Sequence, residues 1–90
     1  MFPATKDPNE ILDYAIDWGA EWLDGDTITA SVWDVPADDV TIQRDTFTDT
    51  LATVWLSGGT LDTVSRVYNT ITTAAGRNAV RIIELTVTER

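Results

Sequence analysis

The stretch "TVSRVYNTITTAAGRNAVRIIELTV", residues 63–87, decides the fold, because it reads as two long strands around a tight turn. In its first half Val67 and Ile71 share a face with Ser65, Asn69 and Thr73, the period-two pattern of a half-buried strand. In its second half Ile83, Leu85 and Val87 alternate with Ile82, Glu84, Thr86 and Thr88, and the odd-numbered set is expected inward. "AAGRN", residues 74–78, supplies Gly76 and Asn78 for a hairpin turn of a few residues.

The rest of the chain repeats this grammar. "LATVWLS", residues 51–57, places Ala52, Val54 and Leu56 on one side and Thr53, Trp55 and Ser57 on the other. Gly58 and Gly59 then allow a turn with positive φ. "EILDYAIDW", residues 10–18, alternates Leu12, Tyr14, Ile16 and Trp18 with Asp13, Ala15 and Asp17. A helix would scatter those apolar side chains around a cylinder, so a strand is the better reading. "TITASVWDV", residues 27–35, is β-branched and ends at Pro36, whose missing N–H interrupts a sheet ladder. Its phase is ambiguous, and a bulge that switches faces midway would resolve it. "VTIQ", residues 40–43, is a short strand, and "TFTDT", residues 46–50, is a weak one. Trp22 and Leu23, beside the turn at Gly25, plug one end of the core.

About seven antiparallel strands without a convincing helix predict an all-β fold, a β-sandwich with an immunoglobulin-like layout. Residues 11–90 are expected to form its single domain. Residues 1–10 carry Pro3 and Pro8 and no apolar period, and are expected to be a flexible N-terminal arm that becomes ordered only against something.

Composition narrows the chemistry. Ninety residues with 43% hydrophobic content and four Trp suffice for one core. The chain has neither Cys nor His, which removes disulfides, thiolate nucleophiles, His proton shuttles and nearly every transition-metal site. Of the net charge of −9, residues 1–49 hold twelve acids against Lys6 and Arg44, giving −10. Residues 50–90 hold three acids against four Arg, giving +1. An acidic surface of this kind disfavours nucleic acid and anionic membrane as partners. No run of about 18 apolar residues is present, and Met1 is not followed by a basic and then an apolar stretch, so synthesis in the cytoplasm is expected.

Candidate catalytic or metal sites do not emerge. Asp24 and Asp26 flank Gly25, and Asp38 and Asp39 are adjacent, but neither pair has the further oxygens of a calcium loop, and Asp is favoured in turns for backbone reasons. A pair of carboxylates suffices for glycoside hydrolysis, yet a sandwich this small lacks a pocket-forming insertion. No phosphate-cradling glycine loop or nucleophile elbow occurs. No enzyme activity, cofactor or metal is expected.

The tryptophans are more informative. Trp18 and Trp33 read as core, and Trp22 is undecided. Trp55 is opposite in phase to Val54 and Leu56. Its indole therefore faces outward, either as an anchor for another polypeptide or under cover of a neighbouring part of this chain; stacking on a sugar is a third possibility. With Phe2 and Pro3 of the arm, Trp22 and Trp55 are the candidate interface residues.

The succession "KDPNEILDYAIDW" (6–18), "DGDTITASVWDVP" (24–36), "VWLSGGT" (54–60) and "ITTAAGRNAVRIIELTV" (71–87) resembles small virion proteins of tailed bacteriophages, of the fibre–tail adaptor type. The likeness runs from about Lys6 to the end. It implies a β-sandwich building block near the head-to-tail connector or where fibres attach, present in several copies in a ring, with other virion proteins as partners. Ser65 departs from the relatives, where an aromatic is common. A capsid decoration protein and a glycan-binding sandwich module are the rival functions.

Overall fold

The computed structural model describes residues 2–36 and 39–88. Seven strands follow one another: β1 (Phe2–Lys6), β2 (Leu12–Asp17), β3 (Ile28–Asp34), β4 (Val40–Phe47), β5 (Leu51–Gly58), β6 (Thr63–Thr73) and β7 (Asn78–Val87). They form a four-stranded sheet in the order β1-β7-β6-β3 and a three-stranded sheet in the order β2-β5-β4. With the seven strands lettered A to G, these are the A-G-F-C and B-E-D sheets of an immunoglobulin-like sandwich, with the first strand on the G side. The all-β expectation is met.

Alternation does the work. Ala52, Val54 and Leu56 of β5 are fully buried, and so are Val67 and Ile71 of β6 and Leu85 of β7. Side chains from the two inner faces meet there in one layer, as sheet-on-sheet packing requires. The ambiguous phase of residues 27–35 is settled by a bulge between Ile28 and Ala30. It lets even-numbered Ile28 and odd-numbered Trp33 both reach the core.

The inward polar residues of β6 are each hydrogen-bonded, as burial demands. Ser65 donates to Asp39 Oδ1 at 2.6 Å. Asn69 accepts the Trp18 indole N–H at 2.9 Å and donates to Ser31 Oγ at 2.9 Å and the Val32 carbonyl at 3.2 Å. The Thr73 hydroxyl accepts from the Arg77 amide at 3.1 Å. Ser65 thus ties the β3–β4 connection to β6.

Three details differ from the sequence expectation. Residues 2–6 are a strand rather than a flexible arm, in parallel register with β7 from Phe2 opposite Ile83 to Lys6 opposite Val87. Lys6 has its stem buried and its Nζ donates to the carbonyls of Asp7 and Gly58, at 2.8 and 2.7 Å, which holds the end of β1 to the end of β5. The Tyr14 hydroxyl donates to the Thr5 carbonyl at 2.8 Å, a second tie across the sheets. The β1–β7 ladder and the Lys6–Gly58 bond are long-range and carry no apolar periodicity to read. A four-residue helix, α1 (Trp18–Glu21), follows β2, capped by the Asp17 carboxylate accepting from the Ala20 amide. Residues 46–47 belong to β4, continuous with 40–43 through a bulge between Ile42 and Arg44.

Candidate protein-interaction site

Trp55 sits mid-strand in β5, on the outward face of the three-stranded sheet. Asp13 of β2 is opposite on one side and Arg44 of β4 on the other. Simple parity would give Arg44 the face of Val40 and Ile42, toward the core. The bulge after Ile42 turns it outward, and its guanidinium then stacks 4.1 Å above the indole centroid. Such a pair contributes about 0.5–1 kcal/mol when exposed. Trp55 is half-buried: an aromatic plane on an open sheet, with an arginine of its own chain as its lid.

Trp22 lies at the opposite end of the sandwich from the β1–β2 turn. Its ring meets Trp18 edge-on, with centroids 5.8 Å apart. Arg77 covers its other side at 4.0 Å, and Arg81 stands 5.0 Å from Trp18. Arg77 also donates Nε to Asp26 Oδ2 at 3.0 Å and Nη2 to the Leu23 carbonyl at 2.9 Å. Leu23 plugs this end of the core, with 1% exposure, and Trp22 is its half-buried cover.

Asp26 is committed to this junction. Its Oδ1 accepts from the Thr27 amide at 2.8 Å and the Ala75 amide at 3.1 Å. Hydrogen bonding from the Thr73 side chain first, then from Thr27, Arg77 and Ala75, outweighs desolvation and lowers its pKa to about 2. Asp24 and Gly25 take φ of 48° and 89°, as a tight turn needs. Asp38, the remaining member of the acidic pairs beside Asp39, lies outside the described residues, as does Met1.

Pro3 is exposed on β1, opposite Glu84. Phe2 is placed by its backbone opposite Ile83. The four candidate residues therefore do not form one patch: Trp55 is on the three-stranded sheet, Trp22 at one end, and Phe2 and Pro3 at the edge of the four-stranded sheet.

A second surface escaped the sequence reading. The outward face of the four-stranded sheet carries Val32, Val64 and Val80, at 62%, 54% and 47% exposure. A shallow concavity of about 210 Å³, lined by Pro36, Val64, Arg66 and Tyr68, opens beside it. Its signal was present in β6 and β7, where most residues between the inward ones, Arg66 and Glu84 excepted, are themselves β-branched or aromatic.

The arrangement is one of presented surfaces: stacked arginine–tryptophan pairs and an exposed, largely β-branched face, with the carboxylates of Asp7, Asp17 and Asp26 taken up by backbone amides. Among curated proteins no match is found. The model of the podophage GP4 fiber-tail adaptor protein gp77 family matches residues 6–86. With nearly the whole sandwich inside that match, the chain belongs to this family of bacteriophage fibre–tail adaptor proteins.

Proposed function

We propose that the protein is a non-enzymatic structural component of a tailed-phage virion that links the head–tail connector or tail to peripheral fibres by protein–protein contacts. It is made in the host cytoplasm and taken up into the particle in several copies arranged as a ring. Its partners are connector, tail or fibre subunits, not nucleic acid or membrane. The observation that carries this reading is the family match along residues 6–86.

In this role Trp55 is the anchor on the three-stranded sheet. Arg44 stacks on the indole in the free protein, which biases its rotamer before a partner arrives. Pro3 and Phe2 supply a contact at the far sheet edge, and Trp22 one at the end of the sandwich. The acidic first half suits a basic partner surface, whose association weakens as salt screens it over about 10 Å at 0.1 M.

Trp55→Ala tests the reading. A central aromatic anchor is worth about 2 kcal/mol or more, roughly a 30-fold loss of affinity. Virions assembled with the variant should carry fewer fibres, while the isolated protein keeps its β-sheet circular dichroism. Normal fibre content with a folded variant would remove Trp55 from the joint.

A further inference from the structure

We propose that the notch in the four-stranded sheet, beside β6 and beyond the end of β3, receives an extended segment of a partner polypeptide in which basic residues flank an apolar side chain. β6 is 11 residues long, but β3 covers only part of its edge: the register runs from Ile28 opposite Thr73 to Asp34 opposite Tyr68. Continued by two residues, it would set Pro36 opposite Arg66, and Pro has no N–H to give. β3 stops there, and residues 63–67 of β6 run on without it. Backbone groups along an antiparallel strand point alternately to its two neighbours. The Thr73 amide bonds to Arg77 at the β7 side, and the Ala74 amide to Thr27 at the β3 side. Even-numbered residues of β6 thus aim N–H and C=O toward the line of β3. At Val64 and Arg66 these groups have no ladder partner among the described residues.

The surroundings specify the occupant. Unpaired donors and acceptors in a row match an extended backbone, the mode by which a peptide adds a strand to a sheet. Pro36, Val64, Arg66 and Tyr68 line the concavity of about 210 Å³ beside this edge. Small-molecule sites start at about 300 Å³, so this one suits a single apolar side chain. Asp34 ends β3 beside Tyr68, Asp39 is hydrogen-bonded to Ser65, and Asp62 immediately precedes β6. The Arg66 guanidinium leans the other way, toward Glu84 of β7 at 4.0 Å, so its stem borders the notch while its charge is engaged elsewhere. Carboxylates flanking the edge call for a basic segment, and a second copy of this chain, at −9, is a poor complement.

The notch is on the opposite sheet from Trp55 and goes beyond the adaptor reading. Trp55→Ala should leave it intact, so either reading can fail without the other. Fluorescence anisotropy of the labelled, end-capped peptide KTLTVTK, titrated with the whole chain to about 1 mM, tests it. The expected result is saturable binding that weakens about tenfold or more between about 0.05 and 0.5 M salt. N-methylation of the peptide's Leu and Val amides, which face β6 in an antiparallel ladder, should abolish binding, and N-methylation of its Thr amides should not. Val64→Arg, at an exposed position, should weaken binding about tenfold with unchanged circular dichroism; Asp34→Lys, also exposed, reads the same contact if Val64→Arg unfolds. Val32→Arg, on the same sheet face but outside the notch, should change it by about twofold at most. No binding at about 1 mM, equal binding of the peptide with Glu in place of Lys, a reversed or absent N-methylation pattern, equal losses in Val32→Arg and Val64→Arg, or a dimer of this chain that displaces the peptide would overturn the proposal.

Discussion

Asn69→Ala tests how the polar residues of β6 hold the two sheets together. Asn69 is fully buried, and its amide joins the Trp18 indole of the β2–α1 corner to Ser31 and Val32 of β3. Truncation leaves the Trp18 N–H without its acceptor in a site of 0% exposure, at a cost of about 1–3 kcal/mol. The void adds about 1 kcal/mol. Ser31 is half-buried and its hydroxyl can turn to water, so its loss adds little. The sum is about 3 kcal/mol against a total stability of about 5–13 kcal/mol for a chain of this length. At about 4–8 °C per kcal/mol the melting temperature should fall by about 12–24 °C. Urea unfolding followed by tryptophan fluorescence gives the free energy directly, with Ser31→Ala as the comparison, because Asn69 keeps both Trp18 and Val32 there. An Asn69→Ala cost below about 1 kcal/mol, or one equal to that of Ser31→Ala, would refute the reasoning.

Two further outcomes follow from local geometry. Asp26 has a folded-state pKa of about 2, below its ordinary 3.8, so its contribution is full above that ordinary value and is lost as pH falls toward about 2. Melting temperature should therefore drop across that window, and the drop should be shallower in Asp26→Asn; equal slopes would contradict the assignment. Gly59 has φ of 111°, and a Cβ there would lie 2.9 Å from Val87 Cγ2 and 3.3 Å from Val40 Cγ1, so Gly59→Ala should cost about 2 kcal/mol or more in denaturant. Gly25→Ala, with positive φ but open space, should cost less, and the reverse order would show that clash is not the cause.

Much of this fold could be read where alternation is unbroken. The inward sets of β5, β6 and β7 follow from period two alone, because each strand is paired on both sides or buried along its length. Reading failed where one added residue changes the phase. The bulge in β4 sends Arg44 to the outer face, and nothing in "VTIQRDTF" marks which residue is the extra one. The bulge in β3 was legible because Ile28 and Trp33 are both large and apolar yet differ in parity.

Long-range partners were the other blind spot. β1 is ordered by β7, more than 80 residues away by its Phe2–Ile83 register, and by a buried lysine that sequence polarity assigns to the surface. The candidate site was half legible. Phase put Trp55 outward, but its arginine lid depends on the β4 bulge, and the cover over Trp22 comes from Arg77 across the hairpin. Val32, Val64 and Val80 come to one face only through the pairing of β3, β6 and β7, which the sequence of any one strand does not show.

The central claim is that this sandwich works as a joint in the virion. A reconstruction of the assembled phage particle around the tail tests it most directly. The account predicts several copies of the sandwich between the tail or connector and the fibres, with Trp55 covered by another polypeptide. Copies spread in a lattice over the capsid shell, or a tail-bound sandwich with Trp55 facing bulk solvent, would contradict it.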